Sequence, residues 1–165
     1  MSGVEHRYEV TGHRAIWSGR IFSVVSDDVT MPGGGSATRD YVRHVGAVAV
    51  VALDDAGQVV LIRQYRHPVG RHLWELPAGL MDVGGEDLAA AALRELAEVP
   101  AEQRHDRHDE EADLQVVRVD LDEAVRMVLA GEITNASCVA GLLAAARARE
   151  TGFTELRRPE APLPG

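Results

Sequence analysis

Two carboxylates, Glu95 and Glu98, lie three residues apart in a stretch of strong helix formers that begins at residue 88. A helix brings side chains at this spacing onto one face. Neighbouring carboxylates repel each other unless a cation lies between them, and Mg²⁺ takes oxygen ligands from one or two carboxylates together with phosphates. The pair indicates a divalent-metal site for phosphate chemistry, although a solvated helix face is the more common role of two such glutamates.

A turn-rich segment leads into this helix. Residues 76–87 contain Pro77, Gly79, Gly84 and Gly85, and these residue types prevent a regular element while they allow the backbone to approach a ligand closely. The loop and the helix together predict a combined phosphate and metal site.

Length, composition and charge restrict the class of protein. A chain of 165 residues with 45% hydrophobic residues suits one globular domain with a substantial core. The formal net charge of -9 argues against non-specific nucleic-acid binding, which depends on clustered Lys and Arg. The single cysteine, Cys138, excludes an intramolecular disulfide, and no apolar run is long enough for a membrane helix. We expect a cytoplasmic protein with neither nucleic acid nor membrane as a partner.

The first half of the chain predicts a sheet. Short β-prone runs alternate with turn residues between residues 6 and 26, which predicts two or three antiparallel strands. Residues 38–44 alternate as a strand, and residues 45–53 form a small apolar run typical of a strand buried on both faces. After a turn at 54–57, residues 58–65 are expected to return as the second strand of a hairpin.

The second half predicts a linker, a strand and two helices. Residues 99–113 are charged and poor in apolar residues, which indicates an exposed linker. Residues 114–119 alternate as a strand. Asp120 is expected to start a helix that ends at Gly131, and Asn135 is expected to cap a second helix that ends near residue 150.

Glycine, glutamate and arginine residues at characteristic spacings resemble the signature of the Nudix hydrolases, which cleave nucleoside diphosphates linked to another group. These residues are Gly79, Glu86, Arg94, Glu95 and Glu98. The loop before the first glutamate is one residue longer than in the usual signature, and ADP-ribose pyrophosphatases of the actinobacterial type carry the same expansion. The QYRHP run at residues 64–68 and the GRIF run at residues 19–22 are also similar to elements of that branch.

The resemblance implies an α/β fold, the Nudix α/β/α sandwich on a mixed sheet. An N-terminal antiparallel strand region at residues 1–42 would pair across a homodimer, residues 43–150 would form the Nudix domain, and residues 151–165 would form a tail. The implied reaction is hydrolysis of ADP-ribose to AMP and ribose 5-phosphate with Mg²⁺ or Mn²⁺.

The resemblance also assigns roles to residues. The metal ligands would be the carbonyl of Ala78 and the carboxylates of Glu95 and Glu98. The catalytic set would be Glu86, Arg94, Glu95 and Glu98. The substrate contacts would be Arg20, Ile21, Arg43, Arg66 and Gly79.

Some of these roles have simpler alternatives. Ile21 can equally be a core residue and Arg20 a surface charge, and cross-strand pairing is the favoured role of Arg43. In related proteins a glutamate at the position of Glu75 often supports the substrate or the metal shell.

The chain departs from the family pattern after Glu98. Val99 stands where the family has a glutamate, and several tens of residues that should follow, including a catalytic loop, are absent. Either the sequence joins two segments that are apart in the true polypeptide, or the chain has lost this stretch. The general base is therefore not assigned. Two alternatives to ADP-ribose hydrolysis stay open: a different nucleoside diphosphate sugar or dinucleotide as substrate, and a degenerate Nudix module that binds a nucleotide without cleaving it.

Overall fold

The computed structural model describes residues 7–81, 88–98, 114–158 and 161. The chain divides into two compact units, Met1–Gly46 and Ala47–Gly165, which we call the N-terminal unit and the C-terminal unit. None of the helices in the described ranges is long and apolar enough to cross a lipid bilayer.

The N-terminal unit contains a three-stranded antiparallel sheet. Its strands are β1 (Val10–Ser18), β2 (Phe22–Thr30) and β3 (Ser36–His44), in the order β1-β2-β3. The turn between β1 and β2 is closed by a hydrogen bond from the amide of Gly19 to the carbonyl of Phe22, at 2.9 Å. A Cβ on Gly19 would lie 2.2 Å from the ring of Trp17, so a larger residue there would have to displace that exposed side chain.

The C-terminal unit begins with strands in two small sheets. The strands are β4 (Ala47–Ala49), β5 (Gln58–Arg66), β6 (Arg71–Glu75) and β7 (Ala78–Leu80), and a 3-10 helix at His67–Val69 joins β5 to β6. β4 pairs with β7. β5 is the central strand of the second sheet, between β6 and β8 (Gln115–Asp120). Every strand pair in the described ranges is antiparallel.

The predicted strand at residues 45–53 and its hairpin with β5 are largely wrong. The hairpin covers only residues 52–54 and 58–60: Leu53 bridges Val59, the amide of Asp54 donates to the carbonyl of Gln58, and the amide of Val60 donates to the carbonyl of Ala52. The preceding residues turn away and pair with β7, and the two alanines of β4 are exposed. A run of small apolar residues fits either partner, so its pattern alone did not identify β7.

Three predicted helices are confirmed, the first from its run of strong helix formers and the other two from their end signals. They are α1 (Leu88–Glu98), α2 (Leu121–Leu129) and α3 (Ala136–Glu150). The carboxylate of Asp120 accepts from the amides of Asp122 and Glu123 at the start of α2, and the side chain of Asn135 accepts from the amide of Cys138 at the start of α3. Each cap satisfies amides that the first turn of a helix leaves without a partner. The predicted linker at 99–113 lies outside the described residues.

The core of the C-terminal unit joins the sheet to α2 and α3. Its buried members are Val59, Leu61, Leu76, Leu121, Ala124, Met127, Ile133, Cys138 and Leu142. These residues come from β5, from both helices and the connection between them, and from the segment after β6. The two helices therefore pack against the sheet that contains β5 and against the segment that precedes the glycine-rich loop.

Gly141 allows α3 to approach that segment closely. A Cβ on Gly141 would lie 2.6 Å from Cδ1 of Leu76 and 3.0 Å from Cγ2 of Val51. Leu76 is buried, so its side chain cannot move aside without disturbing the core. The glycine is a packing requirement despite its cost to helix stability.

The substitution Gly141→Val should lower the free energy of unfolding by about 1–3 kcal/mol, because added methyl groups overpack a filled core. Ala144→Val is the matched control, since Ala144 is exposed on the same helix. Urea denaturation followed by circular dichroism measures both. Equal losses for the two variants would contradict the close packing at Gly141.

Candidate active site

The helix with the two glutamates lies against the strand that carries Ala78. α1 packs against β7 and β4, and Nη2 of Arg94 donates to the carbonyl of Leu80 at 3.2 Å. Ala91 is almost fully buried on the same helix. Arg94 therefore ties the helix to the end of β7, which is a structural contact that the sequence did not indicate.

The predicted metal ligands belong to these two elements. Ala78 and Gly79 lie in β7, where they pair with Ala49 and Val48. Glu95 and Glu98 lie one turn apart on α1, so the helix backbone directs them to similar sides. Their side chains, like all of Glu86, lie outside the described residues.

The donor set suits a hard divalent cation. In the part of the chain described here, no three His, Cys, Asp or Glu side chains gather as metal ligands. That statement does not cover the side chains of Glu95 and Glu98. Two carboxylates and a backbone carbonyl are oxygen donors, which Mg²⁺ and Mn²⁺ accept and which zinc sites with Cys or His rarely use.

Arg66 forms a two-bond ion pair with Glu75. Nε of Arg66 donates to Oε1 of Glu75 at 2.9 Å, and Nη2 donates to Oε2 at 2.6 Å. Nε2 of Gln64 also donates to Oε2, at 3.1 Å. The paired carboxylate is buried, whereas the arginine side chain is 41% exposed. A guanidinium held in this way has a defined direction.

Sequence reasoning placed Arg66 at the substrate but did not find its partner. The available signal was the turn at Pro68 and Gly70, which predicts that β5 and β6 form a hairpin. In the observed register Glu75 lies opposite Ile62. Alternation along the strand then puts Ile62, Gln64 and Arg66 on the face that carries Glu75.

The opposite face of the hairpin carries aromatic side chains. The guanidinium carbon of Arg63 lies 5.7 Å from the ring centroid of Trp74, and the rings of Tyr65 and His72 meet edge to face at 5.7 Å. These contacts stabilise the hairpin on the side away from Arg66.

Cys138 lies close to the charge of Glu75. Burial, together with that negative charge, raises the pKa of the Cys138 thiol to about 11. The thiol is therefore neutral at physiological pH and a poor nucleophile. Cys138 acts as a core residue at the start of α3.

The predicted substrate residues of the N-terminal unit occupy its surface. Arg20 and Ile21 lie in the turn between β1 and β2, and Ile21 is 37% exposed, so it is not a core residue. Arg43 lies over the ring of Tyr41, and its Nη2 donates to the hydroxyl of Tyr41 at 3.1 Å. This hydrogen-bond partner lies on the same strand, and the cross-strand interaction of Arg43 is the electrostatic one with Asp27 of β2. Whether these residues contact a substrate stays a prediction.

Arg43 ends a hydrogen-bonded chain across the three strands of the sheet. Nδ1 of His13 lies 2.5 Å from Oδ1 of Asp27, and the hydroxyl of Tyr41 donates to Oδ2 of Asp27 at 2.9 Å. The hydrogen bond with His13, followed by that from Tyr41, holds the pKa of Asp27 below its usual value, and the bond to Tyr41 raises the pKa of Arg43. No short-range sequence signal indicates this chain, because its members come from three strands.

Asp27→Asn should remove part of the acid sensitivity of the fold. The pKa of Asp27 is lowered on folding, so its contribution to stability is present above its unfolded value of 3.8 and is lost as the pH falls through the lower folded value. The melting temperature of the wild type should fall more steeply below pH 4 than that of Asp27→Asn.

Asp40→Asn is the control for this comparison, since Asp40 is exposed on β3 in the same sheet. It should keep the steep decline of the wild type. Parallel melting curves for the wild type and Asp27→Asn from pH 6 to pH 2 would contradict the role of the chain.

Comparison with known proteins defines the class to which this fold and site belong. Residues 43–98 match the NUDIX domain. A solved structure titled an ADP compounds hydrolase superposes with a TM-score of 0.72, covers 94% of this chain and 100% of its own, and shares 20% sequence identity. That likeness supports the α/β fold. The chain belongs to the Nudix hydrolase family, as the following relatives also show.

The chain is similar to two bacterial proteins named ADP-ribose pyrophosphatase. The one from Mycobacterium tuberculosis (strain H37Rv) is 40% identical over 186 aligned positions, which cover 93% of this chain and 89% of the relative. The one from Bacillus subtilis (strain 168) is 41% identical over 83 positions, which cover 50% of this chain and 44% of that protein.

The first of these alignments is longer than the chain. An alignment of 186 positions against 165 residues places at least 21 positions opposite gaps in this sequence. The match to the NUDIX domain ends at Glu98, where the sequence departs from the family signature. Both observations agree with the absence of a stretch after α1.

Proposed function

We propose that the protein hydrolyses the diphosphate bond of ADP-ribose to AMP and ribose 5-phosphate. The observation that carries the proposal is the packing of α1 against β7, with Arg94 bonded to the carbonyl of Leu80. It brings together the two elements that hold the proposed metal ligands. The similarity to a mycobacterial ADP-ribose pyrophosphatase over nearly the whole chain supports the choice of substrate.

Glu95, Glu98 and the carbonyl of Ala78 would hold Mg²⁺ or Mn²⁺. When bound, the cation supplies charge neutralisation for the diphosphate and lowers the pKa of a bound water. Arg94 keeps the helix at a constant distance from β7. We propose that Glu86 supports the loop between them.

Residues of the chain would bind and orient the substrate. Arg66 is proposed to hold the phosphate distal to adenosine, since a guanidinium pairs well with phosphate oxygens. We retain Gly79, Arg20, Ile21 and Arg43 as proposed substrate contacts. In the reaction, water adds to phosphorus while the bridging P–O bond breaks, and one product leaves with that oxygen.

A second function is favoured by one observation. Val99 follows Glu98 where the family has a glutamate, and the domain match stops there. A chain without that carboxylate and the following loop would bind a nucleoside diphosphate but cleave it poorly. Another nucleoside diphosphate sugar or dinucleotide is the alternative substrate, because the metal site acts on the diphosphate and not on its flanking groups.

Under either function, the buried free thiol of Cys138 suits the cytoplasm, where we propose the protein works.

Glu95→Gln should lower turnover of ADP-ribose about 100-fold or more, because the amide cannot replace the carboxylate charge at the metal. Release of AMP, followed by chromatography in the presence of Mg²⁺, measures it, and excess EDTA should stop the wild-type reaction. Glu150→Gln removes a glutamate from a surface ion pair with Arg147 and should leave turnover unchanged.

The outcomes separate the two functions. Tight ADP-ribose binding by the wild type without release of AMP would favour the binding module. Activity that persists in EDTA would refute the metal role.

We also propose a homodimer formed through the N-terminal unit. Large apolar side chains on its sheet are exposed, among them Val10 (59%), Ile16 (52%), Trp17 (52%) and Val42 (58%). An apolar surface of this kind is a common sign of a protein interface. The second support for the dimer is the family resemblance, which implies that the N-terminal strands pair across a homodimer.

Sedimentation velocity should give twice the chain mass of 17.8 kDa. Ile16→Arg should shift the protein to the monomer, because a charged side chain is costly in an apolar interface. Leu129→Arg is the control, since Leu129 is 78% exposed in the C-terminal unit. A wild-type monomer at micromolar concentration would refute the dimer.

A further inference from the structure

Glu75 is committed to Arg66 by its surroundings. The residue is only 5% exposed, and a buried carboxylate is unfavourable unless it is paired and hydrogen-bonded. Both of its oxygens receive N–H donors, two from Arg66 and one from Gln64. A carboxylate in this setting is a fixed hydrogen-bond acceptor.

The ion pair determines the direction of the Arg66 side chain. Glu75 lies opposite Ile62, whereas Arg66 lies four residue pairs further along the hairpin, opposite Arg71. The arginine side chain must therefore fold back along its own strand to reach the carboxylate. Glu75 binds the side of the guanidinium formed by Nε and Nη2, so the end that carries Nη1 is not used by the carboxylate.

We propose that Glu75, assisted by Gln64, is a positioning residue that orients the end of the Arg66 guanidinium toward a phosphate of the substrate. This inference rests on the proposed function of Arg66 as a phosphate ligand. Arginine has many rotamers in solution, and a partner that selects one of them lowers the entropy cost of binding. The carboxylate of Glu75 is buried, whereas the side chain of Arg66 is 41% exposed.

The negative charge of Glu75 should weaken substrate binding, whereas its orienting effect on Arg66 should strengthen it. A carboxylate beside Arg66 reduces the positive potential that attracts a diphosphate. If charge alone mattered, Glu75→Gln would tighten substrate binding. If orientation dominates, as we propose, Glu75→Gln weakens binding because the amide NH₂ cannot accept from a guanidinium donor. The sign of the change therefore decides between the two effects.

The test is a double-mutant cycle on KM and kcat for ADP-ribose. Glu75→Gln should raise KM by on the order of tenfold, as expected for the loss of charge-assisted hydrogen bonds, with a smaller change in kcat. In the background of Arg66→Ala the same substitution should have no further effect on KM, since a positioning residue acts only through its partner. An equal rise in KM in both backgrounds, or a lower KM for Glu75→Gln alone, would overturn the proposal.

Two further measurements control for folding. Glu123→Gln removes a comparable two-bond pair with Arg126 on the surface of α2 and should leave KM unchanged. Arg66→Ala leaves a buried carboxylate without its arginine, so Arg66→Lys serves as a second background if that variant unfolds. The lysine keeps the charge but cannot form the two-bond pair, and the effect of Glu75→Gln should shrink there too.

A readout without turnover separates this proposal from the proposed function. In the wild type, the Nε–H of Arg66 should exchange slowly with solvent in ¹⁵N NMR spectra and should exchange fast in Glu75→Gln. If the wild type binds ADP-ribose but releases no AMP, hydrolysis is refuted, and the dissociation constants of the same variants replace KM in the cycle. Fast exchange of this proton in the wild type would refute the positioning role whatever the activity.

Discussion

The packing of Leu76 against α3 is the contact on which the arrangement of the site depends. Leu76 is buried in the core, and the absence of a side chain at Gly141 lets the helix reach it. In sequence, Leu76 separates Glu75 from Pro77 and Ala78. One buried side chain therefore anchors Glu75, the acceptor for Arg66, next to the segment that leads into β7. The hydrogen bond from the amide of Val50 to the carbonyl of Pro77, at 2.9 Å, fixes the same segment from the side of β4.

The parts of the fold that sequence reasoning predicted are those with local signals. Asp120 and Asn135 mark helix starts because a side-chain cap acts within three residues. The alternation of β3 and the turn that precedes β5 were also visible, since both are patterns of adjacent residues. These signals require no knowledge of which elements meet in space.

The features that were missed depend on pairing between distant residues. The run at 45–53 carries no mark that separates β5 from β7 as a partner, because small apolar residues fit both. The acceptor for Arg66 depends on the register of β5 with β6, and the chain from His13 to Arg43 depends on three strands at once. Register is set by turns and by the packing of the whole sheet, so a list of residue types contains little of it. Among the site residues, Glu95 and Glu98 were indicated by their spacing on a helix, and the others came from the resemblance to a family.

The two tryptophans of the chain lie in different units and in different surroundings. Trp17 is 52% exposed over Gly19 and beside Phe22, whereas Trp74 is partly buried beneath the guanidinium of Arg63. Each unit thus contains one tryptophan with its own solvent exposure. Replacing either indole by phenylalanine leaves a single tryptophan, and the emission of the two tryptophans can show whether the units unfold together or one after the other.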